Sequence, residues 1–526
     1  MRMKLGIDFG TNRIVVAAAD RGNYPLVSFE APDGATPDWF PSLAALRGEE
    51  RRYGWEAWDR QADEDWTVVR SVKRLLENAG PATLLDVGDQ RVRVTDLLDG
   101  LVKALHTALL ESSNLRLGSN RNLEIVLGVP AHANNNQRFL TLDAFRKAGF
   151  LVLGVLNEPS AASIEFGHGE RENKRIPQNL LVYDLGGGTF DASLVTLDDD
   201  VHHVVGSEGI QAIGGDDFDQ LLADLALEAA GIDSTQRDAI PAASWFRLLE
   251  ECRAKKESLN PNSRRISVDL EHANPEWDTV QVTVTDFYEA ARPLVEETIG
   301  AAEDLLAKHA GGPPEVLYVT GGGSELPLVA RVLRERFGRR VRRSAYTRSA
   351  TAIGLAIQAD QPGVYRLNER LSRHFGVWRE AEHGSSITFD PLFEKGTSLP
   401  STGEPALVIH RSYCPVHNLG HFRFLECSHR TEHGAPSGDI AIWDEIRFPF
   451  DPALAEQSDL SATPVTRSPV AAAQRVEERY ECDPNGSITV TLSNHSAGYS
   501  RTYQLGRWSP ASTSLKKPRA KKAAGK

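Results

Sequence analysis

Short apolar runs alternate, along the first two thirds of the chain, with longer stretches whose apolar residues recur at helical spacing. KLGIDFGTNRIVVAAA (4–19) and LVYDLGGGTFDASLV (181–195) each read as strand, glycine turn, strand. LEIVLGVP (123–130) is a strand stopped by Pro130, and NNNQRFLTLDAFRKAGF (134–150) is an amphipathic helix ending at Gly149. In LVLGVLNEPSAASIEFG a strand runs into a helix whose first turn holds Pro159. TDLLDGLVKALHTALLES (95–112) is helical, with Thr95 placed as its N-cap. The pattern is mainly helical over 219–260; RRISVDLEH and DTVQVTVT form a hairpin; 285–310 is a long helix. Residues 315–338 read as strand, glycine turn, helix, and 347–359 as a further helix. This alternation predicts an α/β architecture. Near residue 362 it gives way to short β runs between Gly, Pro and Asn turns. The clearest of these is the hairpin VEERYECDPNGSITVTLSN, which turns at Pro-Asn-Gly.

Length changes the picture first: 526 residues exceed one core and require two or more domains. Hydrophobic residues at 41% and charged residues at 25% are the profile of a soluble globular chain. A net charge of −13 argues against a nucleic-acid surface over the body of the chain. Four cysteines are too few for a disulfide framework and fit a reducing cytosol. MRMKLGIDFG enters a strand without a leader, and no apolar stretch reaches the ~20 residues of a membrane helix, so a cytoplasmic setting without membrane attachment is expected. The last residues, SLKKPRAKKAAGK, are a basic low-complexity tail.

The glycine turns carry the chemistry. Three glycines between two apolar runs allow backbone to meet a ligand closely, and Asp184 and Thr189 place oxygens at the lip of the turn. Asp8, Gly10 and Thr11 repeat the arrangement about 175 residues earlier, which points to a duplicated domain of two related lobes. There is no G-x-x-x-x-G-K-[ST] loop, and the strand after Gly186–Gly188 excludes the dinucleotide fingerprint. What remains is a hairpin device in which turn N–H groups hold phosphate oxygens, while Asp8 and Asp184 hold Mg²⁺ through its waters.

GIDFGTN, VYDLGGGTFDASL, NEPSAASIEFG and YVTGGGSELPLV, in this order, resemble the nucleotide-binding domain of the heat shock protein 70 chaperones, within the superfamily of actin and the sugar kinases. GVPAHANNNQR, IGGDDFD and SVKRLL extend the resemblance over most of 1–360. FGVWREAEHGSSITFDPLFEKGTSLP and VEERYECDPNGSITVTLSN resemble the ends of that family's β-sandwich peptide-binding domain. The resemblance implies a two-lobed, actin-like (ribonuclease H-like) α/β ATPase domain over 1–362, a linker at 363–374, a β-sandwich at 375–510 and a disordered tail at 511–526. It implies binding of ATP and ADP with Mg²⁺, and K⁺ as a further candidate ion. In that reading Asp8, Glu158 and Asp184 organise the Mg²⁺ waters. Gly10, Thr11, Asn12 and Gly186, Gly187 and Gly188 contact phosphates, Thr189 lies near the γ-phosphate, and Lys73 orients the attacking water. Gly214, Gly215, Gly321, Gly322 and Gly323 surround ribose and adenine. Glu251, Lys255 and Lys256 on EECRAKKESLN are candidates for adenosine contacts, their register uncertain by one position. Pro130 and Arg138 match a proline switch and an arginine relay to the β-domain.

Departures are informative. Asn12 and Arg13 replace a threonine and a commonly aromatic residue, Gly323 replaces a serine, and Glu325 stands where the family often has an arginine stacked on adenine. RLNERLSRHFG replaces an aliphatic linker ending in aspartate, which puts coupling and stimulation by J-domain partners in question. Only the basic tail follows the β runs, so a lidless β-domain is the expectation. The implied activity is ATP hydrolysis coupled to binding of unfolded or extended polypeptide, with a J-domain protein and a nucleotide exchange factor as candidate partners. A nucleotide-dependent scaffold with one specific partner is the alternative. A small-metabolite kinase would need a carboxylate base, for which Asp191 is the nearest spare acid. Cys414, His417, His421, Cys427 and His429 lie close in sequence but match no standard zinc spacing, and they read as ordinary sandwich residues.

Overall fold

The computed structural model describes residues 3–505 except 62, 77–78, 81–82, 89, 118–120, 172–176, 199, 310–311, 382–385 and 401–403. The chain divides into two compact units, residues 1–133 with 141–369 and residues 134–140 with 370–526.

In the first unit two sheets repeat one plan. A five-stranded sheet runs in the order Leu151–Asn157, Leu123–Val129, Met3–Phe9, Arg13–Ala18, Phe40–Pro41. A six-stranded sheet runs Val341–Arg343, Val316–Thr320, Asn179–Leu185, Phe190–Asp198, Val201–Ile210, Arg366–Asn368. Each centres on an antiparallel hairpin whose first strand has a parallel neighbour and whose second has an antiparallel one, and Asp8 and Asp184 take the same place, next to last in the first strand of each hairpin. Helix Glu158–Gly169 packs on the second sheet through Ala162 and Phe166, and helix Ala350–Asp360 packs on the first through Ala352 and Ala356. The two helices touch where Gly354 meets the Ala161 carbonyl; a Cβ there would lie 1.8 Å from that oxygen, so only glycine fits.

Most elements follow the apolar pattern. The helix of 95–112 instead begins at Val94, with Arg93 as an extended N-cap making no side-chain bond, so Thr95 lies inside the first turn and caps nothing. The stretch 363–374 departs further from expectation. Arg366–Asn368 is a strand of the second sheet, parallel to Val201–His203, and Glu369 is buried. A neighbouring strand far away in sequence recruits these residues, so their charged composition is a poor guide to their conformation.

The second unit carries two four-stranded antiparallel sheets. One orders Ser386–Phe393, His374–Ala381, Leu419–Arg430, Pro436–Pro449; the other orders Leu407–Tyr413, Val476–Cys482, Ile488–Asn494, Tyr499–Gln504. Phe375, Phe422, Phe424, Trp443 and Phe448 of the first share a core with Tyr480, Val490 and Leu492 of the second. Asp483 accepts from the N–H groups of Asn485 and Ser487, and Gly486 has φ 76°, which closes the Pro-Asn-Gly hairpin as the sequence predicts. Inside the core, Glu478 is fully buried and accepts from Arg379 Nη1 at 3.0 Å and Nη2 at 2.6 Å, and from the hydroxyls of Tyr413 at 2.5 Å and Tyr480 at 2.6 Å.

Cys427 is buried, Cys414 is exposed, and His421 pairs with Glu445 at 2.6 Å. Among the described residues no group of three or more His, Cys, Asp and Glu side chains is arranged to hold a metal directly, and no helix is long and apolar enough to cross a membrane. The basic tail at 511–526 lies outside the described residues.

Candidate active site

The two hairpin turns face each other. A Cβ on Gly187 would stand 2.8 Å from Asn12 Nδ2, and one on Gly188 would stand 2.9 Å from Thr11 Oγ1. The Gly186 N–H donates to the Thr189 carbonyl, while the carbonyls of Gly186 and Gly187 accept from Gly215 and Asp216 at the start of helix Gly215–Ala229. The N–H groups of Gly187 and Gly188 donate to no other described residue, leaving a backbone concavity suited to an anion. Gly321 has φ 85°, and a Cβ there would stand 2.3 Å from Asp184 Oδ1, so bare backbone is required beside that carboxylate.

One cavity is lined by Asp8, Gly10, Thr11, Asn12, Lys73, Glu158, Asp184, Gly186, Gly187, Thr189, Gly215, Lys256 and Gly321 to Gly323. Gly188 and Gly214 stand just behind its wall, Gly214 with its Cα face against the Gly187 carbonyl. Glu251 and Lys255 are not brought to the cavity. They pair with each other at 3.2 Å on the far face of helix Ala242–Glu257, and Glu251 also accepts from the Asp269 N–H. Helical spacing puts Arg253, Lys256 and Glu257 on the near face, so of the three candidates Lys256 alone lines the cavity. Pro130 follows strand Leu123–Val129; the N–H groups of Ala131 and His132 just after it hold the Asp191 carboxylate. Arg138 falls within 134–140, the stretch grouped with the second unit.

Charge dominates the floor of the cavity. Lys73 and Glu158 are 6% and 7% exposed, and Lys73 Nζ donates to Glu158 Oε1 at 2.6 Å. Burial works against the Lys73 ammonium, yet Glu158 and Asp8 outweigh it and hold its pKa above the ordinary value. Burial, then the charge of Glu158, pushes Asp8 up to about 7, and the same two causes push Asp191 to about 7. Asp184 is raised by burial and by Glu158, Asp8 and Asp191. Four carboxyls around one ammonium, three of them buried and that of Asp8 half-buried, are short of positive charge. Carboxylate oxygens are the donor type that Mg²⁺ takes.

The rim holds residues that sequence reasoning missed. Glu257 accepts from Arg13 at 3.0 Å and from Arg348 at 3.0 Å, and Glu325 pairs with Arg348 at 2.6 Å. Where Glu325 removes an arginine from one wall, Arg348 thus brings a guanidinium to the cavity from another segment. The pair is 23 residues apart and left no local signal. Glu369, read as linker, receives the Asn157 N–H at 3.0 Å and Nδ2 at 2.8 Å, immediately before Glu158. A lone carboxylate in a basic stretch was the available hint.

Duplicated hairpins, two sheets separated by crossing helices and a carboxylate-floored cleft define an actin-like ATPase fold, here followed by a β-sandwich. Residues 107–366 match the family model described as Hsp70 protein. Chaperone protein HscA of Serratia proteamaculans is 32% identical over 385 residues, HscA of Yersinia enterocolitica 32% over 379, and the HscA homolog of Colwellia psychrerythraea 30% over 374. Each match covers 68% of this chain and 58% of the relative. The chain belongs to the Hsp70 family.

Proposed function

We propose that the chain is an ATP-hydrolysing molecular chaperone in which nucleotide state alters the grip of the β-sandwich on extended polypeptide, with a J-domain protein and an exchange factor as partners in the cytoplasm. The facing of the two glycine turns over a floor of Asp8, Glu158, Asp184 and Lys73 carries this reading. The turn N–H groups and Thr11 bind phosphate oxygens and set the triphosphate in line. Lys73, fixed by Glu158, orients water toward the terminal phosphorus, and Thr189 donates toward that phosphate. Mg²⁺, held through water by Asp8, Glu158 and Asp184, would neutralise charge on the phosphates. Phosphoryl transfer asks for such positioning and neutralisation rather than covalent chemistry.

Coupling is proposed to run through Glu369, since its grip on Asn157 reaches the helix start that presents Glu158. The full chain is expected to turn over ATP slowly and to accelerate several-fold with an unfolded, reduced polypeptide. Glu369→Ala should retain basal turnover within a few-fold and lose the acceleration, read by phosphate release. A chain indifferent to every unfolded polypeptide, yet captured stoichiometrically by one folded partner, would displace the chaperone reading in favour of a scaffold.

A further inference from the structure

Ser71 opens the four-residue helix Val72–Leu75 that carries Lys73, and it has φ 57° and ψ 47°. Residues with a Cβ disfavour this left-handed conformation, and it persists where surroundings impose it. A serine in the N-cap position ordinarily bonds its own helix, but Ser71 makes no capping bond. Its hydroxyl instead lies 3.1 Å from Asp216 Oδ2 and 3.2 Å from Asn12 Oδ1, while Asn12 Nδ2 donates to Asp216 Oδ1 at 2.5 Å.

Asp216 belongs to the opposite half of the cleft. It sits in the first turn of helix Gly215–Ala229, whose Phe218, Leu222, Ala223 and Ala226 are packed in the core of the second sheet. Asn12 belongs to the hairpin turn of the first sheet. The flanks of the lysine turn cross in the same direction: Arg70 reaches Glu250 at 3.2 Å, and Arg74 reaches the Gly188 carbonyl at 2.8 Å and Asp217 at 3.1 Å.

We propose that Ser71 and Asp216 are positioning residues for Lys73. The hydroxyl of Ser71, held by Asp216 across the cleft, fixes the strained turn from which the lysine projects, so that closing the two halves seats Lys73 and opening them releases it. The inference rests on Lys73 acting in ATP hydrolysis, and it adds the device that would tie that action to cleft closure.

Single-turnover hydrolysis and equilibrium ATP binding by the full chain test it. Ser71→Ala should slow hydrolysis about tenfold or more while ATP affinity stays within about threefold, because a small misplacement costs rate more than binding. Ser71→Gly accepts the backbone angle without strain but lacks the hydroxyl, and it should be at least as slow. Ser71→Asn tolerates the left-handed turn and offers a donor amide to Asp216, so it should recover most of the rate. Hydrolysis within about twofold of the parent chain in Ser71→Ala or Ser71→Gly overturns the proposal, as does an Asn variant no faster than the alanine one. If Lys73→Ala is slow while Ser71→Ala is normal, the positioning role alone falls. If Lys73→Ala hydrolyses normally, the catalytic reading falls with it.

Discussion

Replacing Lys73 by alanine is expected to lower ATP turnover by about a hundredfold or more while ATP remains bound. The ammonium is buried and bonded to Glu158 at 2.6 Å, so it is aimed at a fixed point on the cleft floor rather than moving in solvent. Loss of one preorganised donor in such a site typically costs about 10²–10³ in rate, and a hundredfold corresponds to about 2.7 kcal/mol of barrier. Binding should persist, because the phosphate contacts come from the glycine turns and Thr11, which the substitution leaves in place. Lys73→Met, which keeps the volume without the charge, should be as slow. Steady-state phosphate release and a nucleotide titration on the same samples separate the two quantities. Turnover within about threefold of the parent chain would remove Lys73 from the mechanism.

The second large effect is on stability. Glu478→Ala is expected to destabilise the β-sandwich unit by about 3–5 kcal/mol, since it strips a fully buried carboxylate from Arg379, Tyr413 and Tyr480 at once. Arg379 keeps Asp390 at 2.6 Å, but the hydroxyls of Tyr413 and Tyr480 lose their acceptor inside the core. Burial, reinforced by the Glu478 charge, already holds both phenols well above their ordinary pKa, so they stay protonated and need somewhere to donate. Glu478→Gln keeps the shape with a weaker acceptor and should lose less. Urea unfolding of the full chain, followed by tryptophan fluorescence, reads the difference. A change below about 1 kcal/mol would mean that the network is dispensable.

Local necessities were legible in the sequence, and relations between distant segments were not. Gly10 announced a tight turn because a Cβ there would meet the Arg13 carbonyl of its own hairpin. The glycine run at 186–188 announced a close approach without saying that the group approaching Gly187 and Gly188 is the other hairpin, and the repeated Asp-x-Gly spacing gave away the two sheets. On helix Ala242–Glu257 the sequence named Lys256 correctly but set Glu251 and Lys255 beside it, where the cavity takes Arg253 and Glu257. The periodicity of charges alone does not say which side faces a cavity, and Arg253 and Glu257 emerge only once the helix is docked. Nothing near Ser71 signals a left-handed serine, because its partners Asp216 and Asn12 come from other segments. Strand Arg366–Asn368 was hidden for the same reason. Its sequence is unremarkable and its partner, Val201–His203, lies more than 150 residues away.

The most direct measurement is a calorimetric titration of ATP into the full chain with Mg²⁺, repeated in a chelator and at pH 8 and pH 6. One site per chain is expected, with binding weakened by chelation. It should also weaken as pH falls from 8 to 6, because Asp8 and Asp191, held near 7, take up protons that the cation must displace. A chain that gives no heat with ATP and Mg²⁺ at either pH, or that binds equally with and without the metal, would contradict a cleft built to hold a metal-bound triphosphate.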